Sequence, residues 1–201
     1  MRGPLSAPFS DGVGPDFSRA VRGSRLGTAN TTTDCSCDDV SAGPKRLTDF
    51  PYTGRYRYFV TCCTYRRARV FALPVPVVLA LTQMLRTADE HRFAVSAYCF
   101  MPDHVHALFN GQTIDADFRA FMTRFRRRAA HMHARTFGQR LWQVGYYEHV
   151  LRDGESPGIT ARYIAANPIR AGLVLNGEQY PYCHVDAEFA EWADAVDRLP
   201  W

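Results

Sequence analysis

Two histidines, His104 and His106, flank a single valine in the run FMPDHVHALF (100–109). The run reads as a buried strand, whose side chains alternate between faces, so both imidazoles project one way while Val105 and Ala107 project the other. Further along, Tyr163 and Asn167 stand four residues apart in TARYIAANPIRAG, a spacing that places them on one face of a helix. If that helix lies beside the histidine face, two imidazoles, a carboxamide oxygen and a phenol share one pocket. The first three can hold a divalent cation facially and leave positions open for water and a phosphate oxygen. The phenol can then attack phosphorus. A cation on the non-bridging oxygens of a phosphodiester lowers the barrier to a nucleophile. A covalent ester to tyrosine would store the bond energy, so that strands could be rejoined without a cofactor. Free tyrosine has a pKa of about 10, so a neighbour must help it ionise.

Each part alone has a plainer reading. A His-x-His pair on a strand reads equally as structural histidines or an incidental zinc site. Tyr163 on an amphipathic helix reads as core packing, and Asn167 before Pro168 as a helix terminator. The conjunction carries more than the parts, because all of them sit at spacings one metal site can use. Tyr146 and Tyr147 are rival nucleophiles on a strand where only one of the two can face the site, and neither has a ligand-type residue one helical turn away. Glu148, His149 and Asp153 read as supporting or DNA-contact groups, or as a solvated strand end. Asp103 makes a turn and could also orient a ligand histidine.

From Phe118 to Tyr147 the chain has no Asp or Glu, yet Arg119, Arg124, Arg126, Arg127, Arg128, Arg135 and Arg140 accumulate there with His131 and His133. Such a strip marks a polyanion-binding surface, a solvated helix face being the alternative. Lys45 is the single lysine. Arginine suits planar, bidentate phosphate contacts, but the position of these residues carries the argument, since the net charge of +4 is only mildly basic.

Several elements must position these groups. RYFVTCCTY (57–65) is expected as a strand, and LPVPVVLALTQMLRTADEHR (73–92) as a helix with Pro74 and Pro76 in its first turn. FAVSAYCFM (93–101) is a second strand, joined by a Pro102-Asp103 turn to a third over 104–110. Asp115 or Asp117 opens the long basic helix, whose Phe118, Phe121, Met122, Phe125 and Ala129 keep helical spacing. WQVGYYEHVLR (142–152) is a fourth strand. Ser156 caps a last helix that begins at Pro157 and is bent or ended by Pro168 just past Asn167. The order β-α-β-β-α-β-α gives an α+β fold, a four-stranded antiparallel sheet with helices on one face and the other free for ligands.

With 46% hydrophobic residues, the 201-residue chain can bury one sizeable core. Residues 1–44 are too polar to offset their ordering cost and are expected as a disordered extension. The folded domain is expected over 45–185, and a short tail helix over 186–201. Cys35, Cys37, Cys62, Cys63, Cys99 and Cys183 match no zinc spacing, and read as free thiols of a reducing compartment rather than a disulfide framework. No stretch is long and apolar enough for a membrane span, and the amino terminus lacks a secretory core, so a cytoplasmic protein without membrane partners is expected.

YCFMPDHVHALF followed by ARYIAANPIRAGLV resembles the single-tyrosine HUH transposases of the insertion-sequence-200-like kind, most of all their REP-associated tyrosine transposase branch. A GYYEHVLRD strand between the two motifs adds to the likeness, which covers roughly residues 45–185. The resemblance implies a ferredoxin- or RRM-like HUH fold, with His104 and His106 as metal ligands, Asn167 as the polar third ligand and Tyr163 as the nucleophile. It implies action on single-stranded DNA, often at hairpins, a 5′-phosphotyrosine bond with release of a 3′-hydroxyl, and Mg2+ or Mn2+. The residues alone point to manganese or zinc, since magnesium prefers oxygen donors. Asn167 replaces the Gln or Glu of other HUH proteins and shortens the reach by a methylene, a feature the REP-associated branch shares.

On this reading the chain is a transposase whose basic helix, with Arg170, holds the DNA backbone. The rivals are a replication-initiator or relaxase-like HUH nuclease, and a domesticated DNA-binding regulator that keeps the fold without cutting. A monomer and a homodimer with a tyrosine donated in trans both remain open, as does the DNA sequence recognised.

Overall fold

A computed structural model describes residues 49–175 and 178–189. The expected disordered extension over 1–44 lies outside the described residues. So does most of the expected tail helix, of which only a short 3-10 turn at Ala187–Phe189 is described.

Five strands and three α-helices form the domain: β1 (Arg57–Cys63), α1 (Pro74–Glu90), β2 (Phe93–Met101), β3 (His104–Gly111), α2 (Phe118–Phe137), β4 (Tyr147–Val150), α3 (Pro157–Arg170) and β5 (Cys183–Val185). The sheet runs β4-β1-β3-β2-β5, every neighbouring pair antiparallel. The expected α+β architecture is therefore present, with one strand more than expected. β5 is only three residues long, too short to show a period of its own, and pairs with the free edge of β2. β4 is shorter than the expected 142–152 strand. Gly145 takes a φ of 75° and turns the chain, so Trp142 makes only an isolated bridge with Thr64.

Local signals account for the helix ends. Pro74 and Pro76 sit at the start of α1, where missing amide donors cost little. Asp117, rather than Asp115, caps α2 by accepting from the Ala120 amide at 3.0 Å, and Gly138 ends it at a φ of 68°. Ser156 caps α3. Pro168 does not end α3, which runs on to Arg170. Its missing N–H removes a single bond near a terminus that was about to close anyway.

The helices occupy both faces of the sheet, not one. α1 and α2 cover the face formed by Tyr58, Val60, Cys62, Val105, Ala107 and Phe109, where Phe118, Phe121 and Phe125 complete an aromatic core. α3 lies on the other face, its Ala161 and Ile164 against Ala97, Cys99, Met101 and Leu108. With the first face filled, the apolar side of α3 can be buried only on the second. An irregularity between Val95 and Ala97 makes this possible. One extra residue inverts the facing of all that follow, so Phe93 and Val95 join the first core while Ala97, Cys99 and Met101 join the second. The second face is also the one that carries His104 and His106. Among the described residues no helix is long and apolar enough to cross a membrane.

Candidate active site

The β1–β3 register builds the centre of the site. His106 pairs with Thr61 and His104 with Cys63 across the ladder, so Thr61 and the two imidazoles share a face. The Thr61 hydroxyl meets His106 Nδ1 at 2.8 Å. Asp103, in the β2–β3 turn, meets His104 Nδ1 at 2.7 Å. An ionised carboxylate can only accept, so the ring donates there and presents the lone pair of Nε2 when neutral. The two Nε2 atoms are 3.1 Å apart. Two ligands about 2.1 Å from one cation and at right angles lie about 3.0 Å apart. The imidazole pair thus has the separation of two neighbouring ligands of one ion, with both Nδ1 atoms already engaged.

The electrostatics agree. Burial, together with the nearby His104, Arg67 and Arg170 charges, pushes His106 down to about 3, so its ring is neutral near pH 7 and able to act as a ligand. Burial alone would raise the Asp103 carboxyl. The hydrogen bond to His104 and the His104 and Arg67 charges outweigh it and hold the group below its ordinary value. Arg67 Nε lies 3.0 Å from Asp103 Oδ2, and its Nη1 donates to Cys63 Sγ at 2.8 Å. Arg66 and Arg67 both adopt a φ of 55°, a costly backbone for any residue with a Cβ, and the Arg67 contacts to Asp103 and Cys63 help to hold the turn. Neither Thr61 nor Arg67 stands out in the sequence: Thr61 acts through a register forty-five residues away, and Arg67 through a left-handed turn without glycine. Asp103 does what its turn position allowed, orienting a histidine.

α3 brings Tyr163 to the same place. Its ring lies 5.8 Å from the His106 ring and 5.7 Å from Phe59, edge-on to both, and the Arg170 guanidinium sits 5.3 Å from its centroid. Phe59 in turn stacks on His106 at 5.6 Å, so one phenyl ring braces both the imidazole and the phenol. Asn167 keeps its carboxamide within α3: Nδ2 donates to the Tyr163 carbonyl at 2.7 Å, since only a donor can meet a carbonyl oxygen. Of the two rival tyrosines, Tyr146 is buried in the α1–α2 core beside Phe118 and Arg126. Tyr147 faces the site side, 6.2 Å from Phe59. His149 pairs with Phe59 across β1–β4 and so shares that face, its Nε2 bonded to Glu155; Glu148 points the opposite way.

Arg170 is the one arginine of the expected DNA-binding set at this site. The others lie on or just beyond α2, across the sheet. Arg126 donates to the Gln143 carbonyl, Arg128 pairs with Glu90 and Thr87 of α1, and Arg140 covers the Tyr65 ring and donates to the Trp142 carbonyl. Arg119 stacks over Tyr52. Arg124, Arg127 and Arg135 are exposed. Arg124 and Arg127 line two shallow hollows, one with Gln83 and His131 and the other with His91 and Arg119.

Likenesses to a protein family, to two curated proteins and to a solved structure accompany this geometry. The model of the family described as "Transposase IS200 like" matches residues 53–167. The "Putative REP-associated tyrosine transposase" of Haemophilus influenzae is 28% identical over 109 residues, 48% of this chain and 61% of that protein. The REP-associated tyrosine transposase of Escherichia coli is 23% identical over 120 residues, 57% of this chain and 71% of that protein. The chain thus spans between three-fifths and three-quarters of the length of these curated relatives. The solved structure of a REP-associated tyrosine transposase bound to a REP hairpin shares the fold, with a TM-score of 0.57 at 19% identity over 69% of this chain and 81% of that one.

Proposed function

The chain belongs to the IS200-like transposase family, and on that premise we propose that it is a metal-dependent DNA strand transferase acting on single-stranded DNA at hairpin or palindromic repeats. The relative whose structure is bound to a REP hairpin supports that substrate class. The observation that carries the proposal is the approach of the two Nε2 atoms to 3.1 Å with the Tyr163 ring 5.8 Å from His106.

Tyr163 is the nucleophile in this reading. Its phenolic oxygen forms a bond to phosphorus as the bond to the 3′ oxygen breaks, leaving a 5′-phosphotyrosine and a free 3′-hydroxyl. Attack by a second 3′-hydroxyl reverses the step and joins strands. His104, His106 and Asn167, the last through Oδ1, would hold Mg2+ or Mn2+. Bound there, the ion would draw charge from the non-bridging phosphate oxygens. Two imidazoles with no carboxylate between them favour manganese over magnesium. Asp103 and Thr61 fix the rings, and such outer partners commonly govern metal affinity as strongly as ligands do. Phe59 fixes the phenol's orientation, and the Arg170 guanidinium over its ring favours the developing phenolate. Because Tyr163 and His106 meet within one chain, the site favours a tyrosine supplied in cis over one donated by a partner.

The exposed Arg124, Arg127 and Arg135, with Arg119, would contact DNA backbone away from the scissile phosphate. Arg126, Arg128 and Arg140 mainly brace the fold. A labelled hairpin oligonucleotide, incubated with the protein and Mn2+, should yield an adduct that survives denaturing gel electrophoresis and is lost with a chelator. Hairpin binding without any such adduct would favour the regulator that no longer cuts.

A further inference from the structure

β5 joins the sheet through a pair of cysteines. Cys99 of β2 lies directly opposite Cys183 of β5. The Phe100 amide donates to the Tyr182 carbonyl, and the Asp186 amide to the Ser96 carbonyl. These bonds mark 100–182 and 96–186 as hydrogen-bonded pairs, so 99–183 is a non-hydrogen-bonded pair. Residues at such positions have Cα atoms about 4.5 Å apart and the closest side chains of an antiparallel ladder. A disulfide spans Cα separations of about 4.4–6.8 Å. The thiols already act on one another, in an apolar layer beneath Ala161 and Ile164 of α3.

We infer that Cys99 and Cys183 are a redox modification site, closing to a cross-strand disulfide when a small-molecule disulfide such as oxidised glutathione is present. The two residues differ in the way the reaction requires. Cys183 is half-buried and open to a small oxidant, whereas Cys99 is fully buried. The Cys99 thiol donates to Met101 Sδ at 3.7 Å, and the influence of each thiol on the other lowers Cys183 and raises Cys99, so the more exposed Cys183 supplies the attacking thiolate. Its sulfur attacks the oxidant, breaks the S–S bond and expels one glutathione thiolate. The Cys99 sulfur then displaces the second glutathione from Cys183, its proton passing to the leaving thiolate. Two protein thiols lose two electrons, one protein disulfide forms, and two glutathione thiols are released. The remaining described cysteines are poorly placed for this reaction. Cys62 and Cys63 are buried neighbours on opposite faces of β1, and burial pushes Cys62 up to about 11. The new bond would fasten the segment after α3 to the central sheet, under the helix that carries Tyr163. The inference stands apart from the proposed DNA chemistry.

The test treats the full-length protein with oxidised glutathione under native conditions, traps remaining thiols with an alkylating agent, and maps the peptides by mass spectrometry. The expected result is a Cys99–Cys183 linked peptide, reversed by dithiothreitol, with alkylated Cys62 and Cys63 and a raised melting temperature. In Cys183→Ser, a change at a half-exposed position, Cys99 should remain a free thiol under the same oxidant. Glutathione persisting on Cys183 with Cys99 still alkylatable in the wild type would overturn the inference, as would a Cys183 that does not react at all.

Discussion

His104 and His106 approach each other through their Nε2 atoms at 3.1 Å, while Asp103 and Thr61 hold the two Nδ1 atoms. That separation suits two ligands of one cation, with each ring held from behind by its own partner. The ring-holding partners should therefore matter to metal binding although neither touches the ion. Asp103→Asn and Thr61→Val are each expected to weaken Mn2+ binding about 10- to 100-fold, measured by calorimetric titration or by the paramagnetic resonance of free Mn2+, with an unchanged circular dichroism spectrum. Wild-type affinity in both variants would show that these contacts do not orient the rings.

The same burial makes the site sensitive to acid. His106 has an ordinary value of 6.5 and is held down to about 3 in the folded chain. Between those values the unfolded chain takes up the proton and the folded chain does not. Its contribution is therefore complete above 6.5 and is lost as pH falls toward 3, with a slope of up to about 1.4 kcal/mol per pH unit. Urea unfolding of wild type and His106→Gln at about pH 7 and about pH 5 checks this. The wild type should lose more stability than the variant on acidification; equal losses would mean that His106 titrates normally in the fold.

The arginines of α2 should separate into two groups. Arg124 and Arg127 are exposed, whereas Arg128 is tied to Glu90 and Thr87 of α1. Arg124→Ala combined with Arg127→Ala is expected to weaken binding to single-stranded DNA and reduce the log–log salt slope by about 1.4, without changing Mn2+ affinity. Arg128→Ala should instead lower the melting temperature. An unaltered salt slope in the double variant would remove the α2 surface from the DNA-binding account.

Much of this was legible in the sequence because it is local. A period of two puts His104 and His106 on one face, a four-residue spacing does the same for Tyr163 and Asn167, and Ser156 with Pro157 marks where α3 begins. What was not legible depends on distant pairing. The side of the sheet taken by α3 follows from the irregularity at Val95 and Ala97, which a pattern of alternation cannot announce. β5 exists because the edge of β2 offers it a ladder, not because Cys183–Val185 has a strong signal. The acid-free stretch over 118–147 looked uniformly available for phosphate, yet Glu90 on α1 and the Gln143 and Trp142 carbonyls occupy Arg128, Arg126 and Arg140. Thr61 and Arg67 were silent for a related reason, since their partners are fixed by strand register and by a strained turn.

The Tyr163 phenol is expected to become bonded to DNA phosphate. The direct measurement is to digest the protein–oligonucleotide adduct formed with Mn2+ and identify the modified peptide by mass spectrometry, alongside Tyr163→Phe. The expected result is a nucleotide on Tyr163, no adduct in Tyr163→Phe, and hairpin binding by that variant within about twofold of wild type, a difference well below 1 kcal/mol. A nucleotide on Tyr147, or an undiminished adduct in Tyr163→Phe, would contradict it.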